Sequence, residues 1–177
     1  NYSTVIIGAA WASYASKSAS FFKDLEATVD FLTQHGKEVI ILAQVPNFQA
    51  VNRTCPQKVL KLPVVSCDQP SAERSPKIFS QVNGRLLDLS RRSGVHYFDL
   101  RDELCPKGAC SAYLDGQLVY FDASHLSMEG SWAIGRHIVR VRGGVPEPFS
   151  RLGSNGSLVE YALRERSQMM PSAARYN

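Results

Sequence analysis

Two apolar runs rich in β-branched residues bracket a stretch of helical spacing, and this pattern restricts the fold more than anything else in the chain. The first run, Ser3 to Gly8, reads as a strand buried on both faces. From about Lys17 to Gln34, the apolar positions Phe21, Phe22, Leu25, Val29 and Leu32 recur at the period of an α-helix. Gly36 stands where the residue after a helix end belongs, and Glu38 to Val45 reads as a second buried strand. Strand, helix, strand at this spacing gives a parallel pair joined by a right-handed crossover, and so an α/β fold built on a doubly wound, mostly parallel sheet. In such sheets, sites form beyond the carboxyl ends of the strands. Trp11 and Asn47 fall at that edge and are candidate substrate-binding residues.

The rest of the chain extends the pattern. Residues 46 to 72 are punctuated by Pro46, Pro56, Pro63 and Pro70 and carry Cys55 and Cys67, whose pairing would pin a long loop. A helix is expected from about Lys77 to Arg92, with Ile78, Val82, Leu86 and Leu89 on one face. A third strand follows at Val95 to Asp99, then a helical turn at Asp99 to Leu104. Ser111 to Tyr120 reads as a hairpin around Asp115-Gly116, a strong two-residue turn signal. A last helix is expected from about Met128 to Val139, capped by Ser127 and with Glu129 in its first turn. Beyond Gly143-Gly144 the composition shifts to Pro, Gly, Ser and Arg, with a possible short helix at Leu158 to Arg166. The organisation is thus an α/β domain over 1–144 and a tail over 145–177.

Composition narrows the functional classes. Hydrophobic residues at 44% and charged residues at 20% fit a globular chain, and no apolar run reaches the ~18 residues a bilayer span requires. The net charge of +4 is carried largely by arginines of the last third, among them Arg136, Arg140, Arg142 and Arg151. Without interleaved exposed aromatics these read as a solvated helix face and tail, so nucleic acid is not an expected partner. The four cysteines form two local pairs, Cys55/Cys67 and Cys105/Cys110, with no CxxC and no nearby His to complete a zinc site, so no metal is expected. Two even, loop-borne pairs fit disulfides in an oxidising compartment; four reduced thiols are the alternative. The chain opens without Met and enters a strand almost at once, and it reads as a piece of a longer protein.

The chemistry concentrates in Tyr120-Phe121-Asp122-Ala123-Ser124-His125-Leu126-Ser127, a polar turn between the hairpin and the last helix. A carboxylate at Asp122 can reach the Nδ1–H of His125, fix its tautomer and leave the other ring nitrogen to take a proton from a nucleophile. His35, near a helix end, His96, in a strand, and His137, on the last helix, read as structural. Ser13 follows a strand and precedes a helix, as an activated serine would, but its flanks supply no glycine elbow. Ser124 is too close along the chain to His125 for attack in line.

The segment Leu104-Cys105-Pro106 … Cys110 … Asp115-Gly116 … Tyr120-Phe121-Asp122 … His125-Leu126-Ser127 … Gly130 resembles the SGNH-type domain attached to bacterial type 3 membrane acyltransferases. The strand with Ala10-Trp11 and the later Val45-Pro46 are also similar to that family, and the match extends over about residues 3 to 141. The resemblance implies an SGNH-hydrolase-like, flavodoxin-like three-layer fold. It also implies O-acetylation of a cell-envelope glycan such as lipopolysaccharide O-antigen. Asp122 and His125 would be the acid and base of a triad, and Cys105 and Cys110 the cysteine pair ahead of them. It further implies a periplasmic domain tethered to the inner membrane through a membrane acyltransferase domain of the same polypeptide, with acetyl-CoA as the acyl donor to that domain and no cofactor in this one. Two motifs of the wider family are absent: the Gly-Asp-Ser that carries the nucleophile, and the Gly-x-Asn-Asp oxyanion block, near whose place stands Gly8-Ala9-Ala10-Trp11. The expectation is that the first strand, first helix and nucleophilic serine precede Asn1, and that the chain alone is inert. A carbohydrate esterase using the same triad, or an inert glycan-binding domain, are the competing readings.

Overall fold

The computed structural model describes residues 2–48, 51, 54, 58, 61 and 76–153. The chain divides into two compact units, Asn1–Ile134 and Gly135–Asn177.

The first unit is α/β. Strands β1 (Thr4–Ile7), β2 (Glu38–Leu42) and β3 (Val95–Phe98) form a parallel sheet in the order β1-β2-β3. Ile6 is in register with Ile40, and Ile40 with His96. Helices α1 (Trp11–Lys17), α2 (Phe21–Gln34) and α3 (Pro76–Leu89) precede or follow the strands as crossovers demand. One face of the sheet, with Val39, Ile41 and Val95, joins Trp11, Phe22, Leu25, Val29, Phe79, Val82, Leu86 and Leu89 in a single apolar cluster. Each such side chain contributes about 1.5–3 kcal/mol on burial, so this layer holds the sheet and its helices together. On the other face Ile40 and Phe98 are also buried.

Three sequence expectations change in detail. The helix expected from about Lys17 to Gln34 begins at Phe21, as α2, and a separate helix that the spacing did not announce, α1, precedes it across Ser18–Ser20. Helix α1 has no side chain of its own at the N-cap. A residue far along the chain completes it instead: Gln44 Oε1 accepts the Ala12 N–H at 2.7 Å, and the Trp11 indole N–H donates to Leu42 O at 2.8 Å. Strand β2 stops at Leu42 rather than Val45: Ala43 N makes the last bond to β3, at Phe98 O, and the Gln44 amide is taken by Asn83 Oδ1 at 3.0 Å. Strand β1 is not buried on both faces; Ile6 is 48% exposed because, among the described residues, β1 pairs with β2 alone.

Other elements lie where the sequence puts them. Gly36, at φ +71°, ends α2, and Lys37 N closes the turn on Leu32 O at 3.0 Å. The hairpin of β4 (Tyr113–Leu114) and β5 (Gln117–Leu118) turns at Asp115-Gly116, both at positive φ. A short helix α4 (Arg101–Leu104) precedes a disulfide between Cys105 and Cys110. The Cys55/Cys67 pair and the short helix at Leu158 to Arg166 lie outside the described residues. Helix α5 (Met128–Arg142) runs from the first unit into the second, which also holds a 3-10 turn at Phe149–Gly153.

Candidate active site

Asp122 and His125 occupy the turn between β5 and α5. Its ends are closed by an antiparallel bridge between Tyr120 and Leu126 and by the Phe121 N–H, which donates to His125 O at 2.8 Å. Inside the turn, Asp122 Oδ1 accepts the backbone N–H groups of Ser124 and His125, each at 2.8 Å. This local folding back of an Asp side chain onto the next amides is why an Asp is suited to the turn. It also aims the carboxylate at the imidazole: His125 Nδ1 lies 2.8 Å from Oδ2 and 3.0 Å from Oδ1. An ionised carboxylate only accepts, so Nδ1 carries a proton, and in the neutral imidazole Nε2 presents its lone pair. The Asp122 carboxyl is held down at about 2, chiefly by the Ser124 amide and next by the His125 side chain. The Ser124 hydroxyl sits 3.3 Å from both Asp122 Oδ1 and His125 Nδ1 and so belongs to the polar cluster around the pair. The His125 side chain is 72% exposed, open to a reacting partner.

Helix α5 begins directly after the turn. Ser127 Oγ accepts the Gly130 N–H at 2.8 Å, the capping bond expected of it, while the Ser127 N–H donates to Val119 O. Gly130 is forced by contact rather than by torsion: a Cβ there would stand 1.9 Å from Val119 O. The helix start is thereby pressed onto the end of the hairpin, and the turn between them is fixed at both ends.

The turn sits beside the carboxyl end of the sheet, where the segment leaving β2 passes. The Phe48 N–H donates to Ala123 O at 2.7 Å, and the Tyr120 phenol donates to Pro46 O at 2.9 Å. Asn47, half-buried, stands in the chain between Pro46 and Phe48, the two residues bonded to the turn. Trp11 is in a different setting: it is 2% exposed within the apolar cluster, 6.2 Å from the Phe21 ring, with its indole N–H engaged by Leu42 O. Ser13 is exposed on α1. The other imidazoles have partners elsewhere: His35 Nδ1 lies 2.7 Å from Phe31 O, His96 Nε2 2.6 Å from Glu38, and His137 Nδ1 3.0 Å from Arg140. Among the described residues, no three His, Cys, Asp or Glu are grouped to hold a metal, and no helix is long and apolar enough to cross a membrane. Sequence reasoning missed Tyr120, Phe48 and Gln44 as builders of the site, since their partners lie between 32 and 75 residues away. Only the two aromatics at the ends of apolar stretches hinted at burial.

An imidazole held by a carboxylate just beyond the carboxyl end of a parallel α/β sheet can take a proton from a nucleophile and return it. The chain belongs to the family of SGNH domains fused to AT3 domains, whose family model matches residues 1–140. Among solved structures it is similar to the periplasmic domain of a lipopolysaccharide acetyltransferase from Salmonella ser. Paratyphi A. The TM-score is 0.50 at 15% identity, over 79% of this chain and 56% of that one. The chain therefore spans little more than half the length of that relative, and at this identity the likeness speaks to the fold. No curated protein matches.

Proposed function

We propose that this domain, within its intact protein, transfers an acetyl group to a hydroxyl of a cell-envelope glycan such as lipopolysaccharide O-antigen, through an acyl-serine intermediate. The observation that carries the reading is the Asp122–His125 pair: Nδ1 bound to a carboxylate at 2.8 Å, Nε2 free to act, at the sheet edge where such sites form. Membership in a family fused to AT3 domains supports a membrane acyltransferase domain as the partner in the same polypeptide, and a periplasmic placement for this one. In that arrangement acetyl-CoA is the donor to the membrane domain.

His125 Nε2 takes the proton from the serine hydroxyl as Oγ attacks the acyl carbonyl, and returns it to the leaving group as that bond breaks. The glycan hydroxyl then gives its proton to Nε2, attacks the acyl-serine and leaves as the ester, and the proton returns to the serine. Asp122 holds the imidazole in the required tautomer and stabilises the imidazolium. We assign Asn47 to hydrogen-bond the acceptor; Trp11, expected as a substrate-binding residue, is instead held within the apolar cluster. We assign the serine to a segment preceding Asn1. The 177 residues contain no Gly-Asp-Ser, and among the described residues β1 pairs with β2 alone. On this reading the 177-residue chain alone is inert.

The exposure of the His125 side chain, 72%, favours a second reading, an esterase that gives the acyl group to water. One pair of measurements decides both points. A fluorophosphonate probe should label a serine upstream of Asn1 in the intact protein and leave the 177-residue chain unlabelled; labelling at Ser13 would overturn the assignment. Acetylated glycan should then form faster than free acetate, and the reverse ratio would replace transferase by esterase.

A further inference from the structure

The hydrogen bonds inside the Asp122–His125 turn set its shape, but they do not set its place on the sheet. That is done from outside. Tyr120 is 1% exposed, and its hydroxyl donates to the carbonyl of Pro46, itself buried. The Phe48 ring, 3% exposed, meets the Tyr120 ring edge-on at 4.7 Å between centroids, and the Phe48 N–H holds Ala123 O. On its other side the same segment is anchored through Gln44, which is 7% exposed. Its amide is held by Asn83 on α3, and its side chain caps α1 at Ala12. One rigid strap therefore runs from α1 and α3, through residues 44 to 48, to the turn that bears the imidazole.

We propose that Tyr120 is a positioning residue: its hydroxyl locks the acid–base turn onto the β2 exit, so that His125 and Asn47 keep one relative placement. The mechanical part of this stands on the contacts alone; its consequence for turnover rests on the role given to His125 above. An imidazole this exposed has little packing of its own to hold it. Loss of the phenol hydroxyl frees the turn to pivot and leaves the buried Pro46 carbonyl without its donor. The side chain is thus asked for orientation, which acyl transfer needs to within a fraction of an ångström.

Tyr120→Phe keeps the ring and its edge contact and removes only the hydroxyl. In the 177-residue chain, hydrogen exchange by NMR should show the Phe48 amide opening about fivefold faster in the variant, with the β2 amides unchanged. The His125 ring signals should broaden or shift at the same time. In the intact protein the variant should lose about tenfold in kcat, and the same substitution added to His125→Ala should cost nothing further. Unchanged Phe48 exchange and unchanged His125 signals in a folded variant would overturn the proposal. If Tyr120→Phe does not fold, the wild-type chain decides: a Phe48 amide as protected as that of Ser127 supports the strap, and one exchanging like an open loop sinks it. A fully active His125→Ala would instead remove the functional reading and leave the exchange result standing.

Discussion

Strands β1 and β2 have nearly the same apolar sequence, Thr-Val-Ile-Ile and Glu-Val-Ile-Ile-Leu, and pair residue for residue, yet their surroundings are opposite. Ile40 is 1% exposed, while Ile6, its register partner, is 48% exposed. The difference lies in position within the sheet: β2 has a strand on each side, and β1 has one neighbour among the described residues. Unblunted apolar edges of this kind invite pairing. The same contrast divides the site. Everything attached to the exit of β2, including the strap to Tyr120 and the Asp122–His125 turn, is tied by multiple hydrogen bonds. The proposed function puts the acid–base half at the exit of β2 and the attacking half beside β1, which no second strand pairs among the described residues.

The strongest way to sharpen that contrast is to disable the finished half. Asp122→Asn removes the charge that fixes the His125 tautomer, and acetyl transfer by the intact protein should fall about 10⁴-fold in kcat, with folding by circular dichroism retained. Activity within tenfold of wild type would show that the pair is not the engine. Gly130→Ala comes next, since its Cβ would drive 1.9 Å from Val119 O. A loss of at least about 3 kcal/mol in denaturant unfolding is expected, and a neutral result would mean α5 does not start against the hairpin as described.

The sheet itself offers a matched pair. Ile40→Ala should cost about 2–5 kcal/mol in the 177-residue chain, and Ile6→Ala less than about 1 kcal/mol. Equal costs would show that β1 is covered in solution. The smallest effect concerns pH. The Asp122 carboxyl is lowered from 3.8 to about 2 in the folded chain, so the stability it contributes is fully present above about pH 4 and is lost as pH falls through 2. The stability gap between wild type and Asp122→Asn should accordingly close across that window. A gap constant from pH 5 to 2 would deny the carboxylate its bonds.

What was legible in the sequence followed local physics. Period and turn chemistry marked α2, α3, β3 and the Asp115-Gly116 hairpin, because each is decided by residues within one turn or one strand of each other. The Asp122–His125 contact was legible for the same reason: three residues of separation and one Asx-type turn bring the groups together. Helix α1 was missed because a side chain 32 residues away completes its N-terminus. The exposure of β1 was missed because an apolar strand carries no mark of whether a second neighbour exists. Tyr120, although read within the turn motif, showed no sign of its bond to Pro46, which spans 74 residues. The family resemblance drew on the turn and hairpin motifs together, and the family match over residues 1–140 bears out the family.

The central claim is that His125 works as the base of an acyl transfer in the intact protein. Acetyl transfer from acetyl-CoA to its glycan acceptor should be measured side by side for wild type and His125→Ala, with equal membrane levels of both. A loss of about 10³-fold or more in kcat is expected, with acceptor binding preserved. Equal turnover in the two proteins would contradict it.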